Sequence, residues 1–306
     1  MTKLYLITGF LGAGKTTFLH QFVRFFPDDR LGLLINEFGK QGVDGVLLAD
    51  LGITMTEIDN GSIFCACKIE QFEDALIALQ EKALDYIFVE ASGLSDPTAV
   101  GSILAQREKF PDIEYVGAIC LVDGLRFQKV YQTARVCRMQ LAISDLVLIN
   151  KADLATREQM DAITAVVKAQ KPSRPVFETT FGHVERGWLA AMEQQPFVPD
   201  DQAPAIHTKD ITLQKLTLTV DGFNQKDLVS FLRMFAEDTY RIKGIVNLPE
   251  GAFVADCVGP LVELRPFSGS APESNKLVVL YGNGLPARRG VKEAMGWFPS
   301  CTVEIE

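Results

Sequence analysis

A glycine-rich run near the amino terminus has residue types and spacing that could bind phosphate. It reads Gly9-Phe10-Leu11-Gly12-Ala13-Gly14-Lys15-Thr16, which satisfies the pattern GxxxxGK[ST]. Phosphate binding needs backbone N–H groups that converge at the start of a helix, and Gly12 and Gly14 let the chain curl tightly enough. We expect Lys15 to reach the β- and γ-phosphates of a nucleotide and the Thr16 hydroxyl to ligate Mg²⁺.

The whole run from Gly9 to Thr17, called the P-loop below, is expected to hold the phosphates. The predicted contacts are Gly9, Gly12, Ala13, Gly14, Lys15, Thr16 and Thr17. Lys15 is also predicted to be catalytic. We expect its ammonium group to be an exposed point charge in the protein without nucleotide, so that its loss would reduce the stability of the fold little. A glycine-rich turn with a chance lysine is the alternative. A predicted strand before the motif and a predicted helix after it argue against that reading.

A second motif, Asn150-Lys151-Ala152-Asp153, follows the apolar run Asp145–Ile149 and has the form NKxD. Guanine presents two adjacent donors, N1–H and the N2 amino group, and the Asp153 carboxylate can accept from both. Adenine lacks them and would leave the carboxylate unpaired. The Lys151 stem can lie against the base, and Asn150 can tie this loop to the P-loop. The alternative is a solvated loop with ordinary charges. The position of the NKxD motif after a P-loop and a predicted strand favours a site for GTP instead.

Glu90 ends another apolar run, Tyr86–Glu90, and is followed by Ala91-Ser92-Gly93. An acid at this position can bind Mg²⁺ directly or through water, and we predict Glu90 as a second catalytic residue. The Gly93 N–H can contact the γ-phosphate, which would make residues 92–97 a switch that senses the third phosphate. The alternative is an acid that caps a strand before a turn glycine.

Glu37 follows the predicted strand Leu31–Ile35 and is the third predicted catalytic residue. It could orient the attacking water, contact Mg²⁺, ligate a second metal, or be a plain solvated acid. Asp123 also ends a predicted strand, and its position favours a structural role. Thr179 and Thr180 could add contacts near the base.

The elements that must position these residues predict an α/β fold. The first ~180 residues alternate apolar strands with amphipathic helices, as in a P-loop NTPase parallel sheet with helices on both faces. The predicted strands are Leu4–Thr8, Leu31–Ile35, Asp85–Glu90, Gly117–Val122, Asp145–Ile149 and Arg174–Glu178. The predicted helices are Thr16–Phe26, Ile69–Leu84 and Thr156–Lys168.

The proline-rich segment Gln195–Pro204 predicts a linker between two domains, residues 1–195 and 206–306. Beyond it the order becomes strand, helix, several strands, helix, strand. That order predicts a smaller α+β domain with an antiparallel sheet. Its predicted strands are Thr212–Val220, Tyr240–Leu248, Ala252–Val258, Leu261–Arg265, Leu277–Tyr281 and Thr302–Ile305. Its predicted helices are Asn224–Ala236 and Ala287–Trp297.

Composition limits the partners and the compartment. The net charge is −9 and the pI about 5.0, so we expect neither a nucleic-acid partner nor a membrane. No apolar run approaches the ~18 residues of a membrane span, and the first predicted strand leaves no room for a signal peptide. We expect a cytoplasmic protein whose six cysteines are thiols. The sequence does not predict the oligomeric state.

Cys65 and Cys67 are the only two cysteines close in sequence. In extended chain their side chains point the same way, so two sulfurs could share one edge of a metal tetrahedron. Thiolates suit Zn²⁺ or Co²⁺ better than Mg²⁺, and Glu37 or a client side chain would complete the site. Two small apolar fillers and a redox-active pair are the alternatives.

Together these motifs resemble the CobW-type GTPases, a family of metallochaperones and cobalamin-related factors. Tyr240–Gly244 resembles an arginine–x–lysine–glycine strand of the family's C-terminal domain, so the resemblance spans nearly the whole chain. The segments that carry it in the first domain are Gly9–Thr17, Asn36-Glu37-Phe38-Gly39, Asn60-Gly61, Glu90-Ala91-Ser92-Gly93 and Asn150–Asp153.

The cysteine run departs from the family pattern, which is Cys-x-Cys-Cys just after Asn-Gly. Counted from Asn60-Gly61, the first two cysteines are replaced by Ser62 and Phe64, and only Cys65 matches. Cys67 is an additional cysteine two residues on. The chain also lacks the histidine-rich stretch of some members. The family's metal site therefore does not carry over whole, which leaves room for a relative that serves another cofactor.

The motifs and the resemblance imply a GTPase, slow without its client, that delivers or inserts a metal ion or metallocofactor into a client metalloprotein. The alternative is a nucleotide-gated activator of a cofactor-dependent enzyme, such as a corrinoid-dependent one, without metal transfer. A small-molecule kinase is a third class, against which the NKxD motif argues. A non-catalytic metal store, the fourth, would not need a base-specific nucleotide site.

Overall fold

The computed structural model describes residues 1–35, 54–57, 69–193, 213–269 and 274–306. The chain divides into two compact units, formed largely by the described residues before 194 and after 212. The predicted linker, and with it the boundaries at 195 and 206, lies outside the described residues and stays a prediction. Glu37, Cys65 and Cys67 also lie outside them.

The first unit holds a seven-stranded sheet among its described residues, with strand order β3-β2-β4-β1-β5-β6-β7 and every neighbouring pair parallel. The strands are β1 Thr2–Gly9, β2 Leu31–Ile35, β3 Thr54–Glu57, β4 Tyr86–Glu90, β5 Ile113–Asp123, β6 Leu146–Asn150 and β7 Val176–Glu178. The helices are α1 Lys15–Phe22, α2 Ile69–Gln80, α3 Val100–Leu104, α4 Phe127–Thr133, α5 Arg135–Ala142, α6 Arg157–Gln170 and α7 Arg186–Glu193.

Hydrophobic cores cover both faces of this sheet. Successive side chains of a strand point to opposite faces, and those of Leu4–Ile7 in β1 are all mainly apolar. Leu4 and Leu6 belong to one buried cluster with the apolar side of α2. Tyr5 and Ile7 belong to a second cluster with the phenylalanines of α1. The predicted parallel sheet with helices on both faces is confirmed.

Two predicted helices of the first unit are shorter than the sequence pattern indicated. The helix predicted to end at Phe26 ends at Phe22 and continues as a 3₁₀ turn over Val23–Phe25. The helix predicted to end at Leu84 ends at Gln80, and Ala83 adopts a left-handed φ of 51° that cannot continue it. The pattern missed β3, α3, α4, α5 and α7, which are too short for a clear period.

The second unit contains a six-stranded antiparallel sheet among its described residues, with strand order β11-β10-β9-β12-β8-β13. Its strands are β8 Leu213–Asp221, β9 Arg241–Leu248, β10 Gly251–Val258, β11 Leu261–Pro266, β12 Lys276–Gly282 and β13 Thr302–Ile305. Its helices, α8 Gln225–Arg233 and α9 Ala287–Met295, share one apolar core with the sheet. The predicted element order and the antiparallel sheet are confirmed.

The strand order explains how motifs that are far apart in sequence can share one edge. Strand β1 lies between β4 and β5, and β6 lies between β5 and β7. Ile7 is in register with Glu90, and Asp123 with Asn150. The carboxyl ends of parallel strands meet at the same edge, where ligands of such sheets bind.

Among the helices that the structure describes, none has the length and apolar character that a membrane span requires.

Candidate nucleotide-binding site

The P-loop joins the end of β1 to the start of α1. Gly9, Gly12 and Gly14 have φ values of 137°, 75° and 95°, which favour glycine. Gly14 is the N-cap of α1, and its carbonyl accepts a hydrogen bond from the Phe18 N–H at 2.9 Å. A Cβ atom at Gly14 would clash with the side-chain amide of Asn150, so the loop passes directly beside the NKxD motif.

Lys15 is only 8% exposed, which contradicts the expectation of an exposed point charge. Its Nζ donates to the carbonyl oxygens of Gly9 at 3.0 Å and Phe10 at 3.4 Å. The loop curls around the ammonium group because these carbonyls point inward. The cation is therefore positioned inside the P-loop at the start of α1, and its removal would disturb the loop as well as the charge.

The two predicted Mg²⁺ ligands are in direct contact. Thr16 Oγ1, from α1, donates a hydrogen bond to Glu90 Oε1, at the end of β4, over 3.1 Å. Glu90 is 6% exposed, so its carboxylate is held at a defined place. A hydroxyl and a carboxylate oxygen are hard ligands of the kind that Mg²⁺ prefers. The donor set thus fits the ion.

Asn150 connects the P-loop with the loop that follows β7. Its Nδ2 donates to the Ala13 carbonyl at 2.9 Å, and its Oδ1 accepts from the Gly182 N–H at 3.1 Å. The residue is 3% exposed, and both ends of its carboxamide are used. The tie to the P-loop that the sequence predicted is present, and a second tie that it did not predict accompanies it.

Lys151 is held by an ion pair that the sequence did not indicate. Its Nζ lies 2.6 Å from Oδ2 of Asp123, which is largely buried at the end of β5. Lys151 also has a positive φ of 62°, so both ends of its stem are constrained. Asp123, which the sequence favoured as structural, positions this lysine. Asp153 is exposed, and no described residue hydrogen-bonds its carboxylate.

The loop after β7 is built around Thr179. Its N–H donates to Ile149 O at 2.8 Å, its carbonyl accepts from Ala152 N–H at 3.0 Å, and its Oγ1 donates to His183 O at 2.6 Å. The hydroxyl is therefore engaged within the loop, which argues against the predicted contact with the base. Thr180 is partly exposed beside it.

Gln140, on α5, is a further residue of this edge that the sequence did not reveal. It is 1% exposed, and its Nε2 donates to the carbonyls of Gly93 at 3.2 Å and Ser95 at 3.0 Å. A Cβ at Gly93 would lie 2.7 Å from the Leu11 nitrogen, so the backbone of Gly93 packs against the P-loop. Gln140 therefore holds residues 92–97, the predicted switch, called the switch loop below, against the P-loop.

Three of the four cysteines that the structure describes are poor candidates for metal ligands. Cys120, Cys137 and Cys257 are buried, and burial raises the pKa of the Cys120 and Cys257 thiols to about 12. Such thiols stay protonated at neutral pH, whereas a metal ligand must be a thiolate. Within the described part of the chain, no three histidine, cysteine or acidic residues are grouped to hold a metal.

Two family models match this chain, one largely within each of the two units. Residues 3–178 match the CobW/HypB/UreG nucleotide-binding domain, and residues 215–294 match the C-terminal domain of the cobalamin synthesis protein CobW. The chain belongs to the CobW/HypB/UreG family. This CobW-type protein thus has the two domains in the order that its sequence predicted.

Several relatives of this CobW-type protein carry names that describe metal handling. The zinc chaperone YeiR of Escherichia coli K12 is 32% identical over 187 residues, which cover 60% of this chain and 57% of YeiR. The zinc chaperone CobW of Pseudomonas aeruginosa is 27% identical over 290 residues, covering 80% of this chain and 76% of the relative. The chain spans 57–61% of the length of the first curated relatives that it matches.

Among solved structures, the Zn(II)-bound YjiA GTPase from E. coli is similar over 96% of this chain and 98% of its own. The TM-score is 0.48 and the sequence identity 17%.

The contacts of Gln140 predict a nucleotide-dependent effect of its removal. Gln140→Ala deletes both hydrogen bonds to the switch loop, which is expected to contact only the third phosphate. We expect the affinity for a non-hydrolysable GTP analogue to fall about ten-fold, roughly 1.4 kcal/mol, while that for GDP stays nearly unchanged. Isothermal titration calorimetry with both nucleotides measures the difference.

Gln106→Ala is the matched control, because the Gln106 amide bonds Glu73 at the surface over 3.4 Å. This control variant should bind both nucleotides as the wild type does. An equal loss of GTP and GDP affinity in Gln140→Ala would contradict the assignment of Gln140 to the switch loop.

Proposed function

We propose that this protein is a GTP-hydrolysing metallochaperone, which delivers or inserts a metal ion or metallocofactor into a client protein. One observation carries the nucleotide half of this proposal: the Asn150 carboxamide hydrogen-bonds both the P-loop and the Gly182 loop. The phosphate motif and the base motif are thereby parts of one site. Membership of the CobW/HypB/UreG family and the relatives named zinc chaperones support the metal-handling half.

In this proposal the P-loop backbone holds the phosphates and Asp153 pairs with guanine. The phosphate contacts are Gly9, Gly12, Ala13, Gly14, Lys15, Thr16, Thr17 and Gly93, and the base contacts are Asn150, Lys151 and Asp153. Lys151 presents its stem to the base from a fixed position because Asp123 holds its ammonium group. The exposed Asp153 carboxylate can accept from both guanine donors.

Hydrolysis of GTP needs neutralisation of charge on the γ-phosphate and a positioned water. Lys15 supplies one positive charge, and the P-loop carbonyls keep it in place. Thr16 and Glu90 would hold Mg²⁺, which would supply further positive charge when bound. Glu37, outside the described residues, remains the candidate for orienting water or for binding a second metal. We expect the reaction to be slow until a client docks.

Cargo binding is proposed at Cys65 and Cys67, with Glu37 or a client side chain completing a site for Zn²⁺ or Co²⁺. All three residues lie outside the described part of the chain, so their spacing and the names of relatives are the support. A site with two thiolates and an open remainder would suit delivery, because a ligand of the client can complete it.

The departure from the family's cysteine pattern favours a second candidate function. Ser62 and Phe64 stand where the family has its first two cysteines. A protein without a full metal site could still act as a nucleotide-gated activator of a cofactor-dependent client enzyme. In either function we expect a cytoplasmic protein, and the net charge of −9 argues against binding to nucleic acid or to anionic membranes.

Guanine selectivity can be tested at Asp153. Wild-type protein should bind GTP at least a hundred-fold more tightly than ATP, on the order of the discrimination of a site built to hydrogen-bond its ligand. Asp153→Asn should weaken GTP binding and shift preference toward xanthosine triphosphate, whose base presents an acceptor where guanine has an amino donor. Competition titration against a fluorescent guanine nucleotide measures this. Equal affinity of the wild type for ATP and GTP would refute the assignment.

Metal binding separates the two candidate functions. Cys65→Ala combined with Cys67→Ala should abolish Zn²⁺ binding measured by competition with a chromophoric chelator, with and without a GTP analogue. Cys120→Ala combined with Cys257→Ala is the matched control, because burial raises the pKa of both thiols to about 12. If the first double variant keeps wild-type stoichiometry and affinity, the activator function is favoured instead.

A further inference from the structure

The loop after β7 contains a tight turn with an unusual residue in its centre. The His183 N–H donates to the Thr180 carbonyl at 3.1 Å, which closes a four-residue turn. Its two central residues, Phe181 and Gly182, both have positive φ values, 52° and 66°. Positive φ at both central positions defines a type I′ turn, in which glycine, asparagine and aspartate predominate.

Phenylalanine is a costly choice at the first central position. A bulky side chain in the left-handed region is an outlier that costs free energy. Burial of the ring does not offset this cost, because Phe181 is 74% exposed. The local turn preference and the hydrophobic effect both disfavour this residue here. A residue that breaks a local rule without a packing gain points to a function.

The turn is rigidly attached to the base motif. The Gly182 N–H donates to Asn150 Oδ1 at 3.1 Å, and the carbonyl of Thr179 accepts from the Ala152 N–H at 3.0 Å. A Cβ at Gly182 would lie 2.6 Å from the Phe18 Cα, so the turn also packs against α1. The backbone of Phe181 is thereby fixed one residue away from the atom that bonds Asn150.

We infer that Phe181 is part of the base pocket and that its ring contacts the purine of the bound nucleotide. The inference rests on the proposed nucleotide function. The Asp153 carboxylate would read the edge of the base, which distinguishes guanine from adenine. The ring would add aromatic contact, which every purine provides equally. Phe181 therefore contributes affinity and not guanine selectivity.

The rigid turn explains why an aromatic side chain is useful at this point. Binding is stronger when the contacting group is already held in place, because less conformational freedom is lost. A phenylalanine has two side-chain torsions, and its backbone here is restrained from three sides. The left-handed backbone costs free energy, but it holds the aromatic ring in position before the nucleotide binds.

A protein-docking surface is the main competing explanation for the exposed ring. Leu125 and Leu154 are also exposed, by 39% and 57%, in the loops after β5 and β6. A partner that covers this edge would contact these leucines together with Phe181, whereas the base contact would not depend on Leu154. Nucleotide affinity of the Phe181 variant therefore distinguishes the two explanations, because a docking surface predicts that neither Phe181 nor Leu154 affects it.

Phe181→Asn is the decisive variant, because asparagine suits a type I′ turn better than phenylalanine does. The protein should unfold at the same or a higher temperature, while GTP and GDP affinities both fall about ten-fold. Phe181→Tyr should keep the wild-type affinities. Thermal denaturation and calorimetric titration of the full-length protein measure both properties. Trp297→Ala, which removes a ring that is 75% exposed in the second unit, and Leu154→Ala are controls that should leave both affinities unchanged.

Each result supports or overturns the inference. Wild-type affinity for both nucleotides in Phe181→Asn overturns the base contact and favours the docking surface. Weaker binding together with a lower unfolding temperature also overturns it, because the residue would then be structural. If the wild type prefers ATP but loses affinity for it in Phe181→Asn, the aromatic contact stands and the guanine assignment fails. A wild type that binds neither nucleotide overturns both proposals.

Discussion

The buried carboxamide of Asn150 is the interaction on which the rest of the candidate site depends. One side chain, 3% exposed, accepts from the Gly182 N–H and donates to the Ala13 carbonyl. Removing it would leave two buried backbone groups without partners, which costs more than the hydrogen bonds themselves contribute. The Asn150 amide also constrains the sequence of the P-loop, because only glycine at position 14 leaves room for it.

A second chain of contacts links the phosphate site to the switch loop. Strand β4 lies beside β1, so Glu90 reaches Thr16 over 3.1 Å, and the backbone of Gly93 packs on the P-loop. Gln140 then connects the switch loop to helix α5. In the proposed function, a displacement of the switch loop by a third phosphate would therefore act on α5 through the Gln140 side chain, which is almost completely buried.

Local patterns in the sequence predicted the sheet and the motif residues, because strand periodicity and turn glycines are short-range signals. They could not predict contacts that only the folded chain creates. The pairing of Lys151 with Asp123 joins two strand ends, and Gln140 belongs to a short helix without a motif. The burial of Lys15 was missed for the same reason, since the spacing of the motif residues does not reveal where the lysine side chain lies in the folded chain. Phe181 was missed because its backbone conformation is not visible in the sequence.

The base contacts and the phosphate contacts of the proposed site would have different effects, because GTP and GDP share the base but differ in the third phosphate. Both nucleotides carry the same base, so the proposed contacts of Asp153, Lys151 and Phe181 would bind them equally and would not shift a conformational equilibrium. Two of the three non-glycine residues with positive φ in the described chain, Lys151 and Phe181, lie in these base loops, where many hydrogen bonds hold them. In the proposed function these rigid base loops would contribute affinity. Only groups that meet the third phosphate can convert hydrolysis into movement, and in the proposed function those groups would be Lys15 and the switch loop that Gln140 holds.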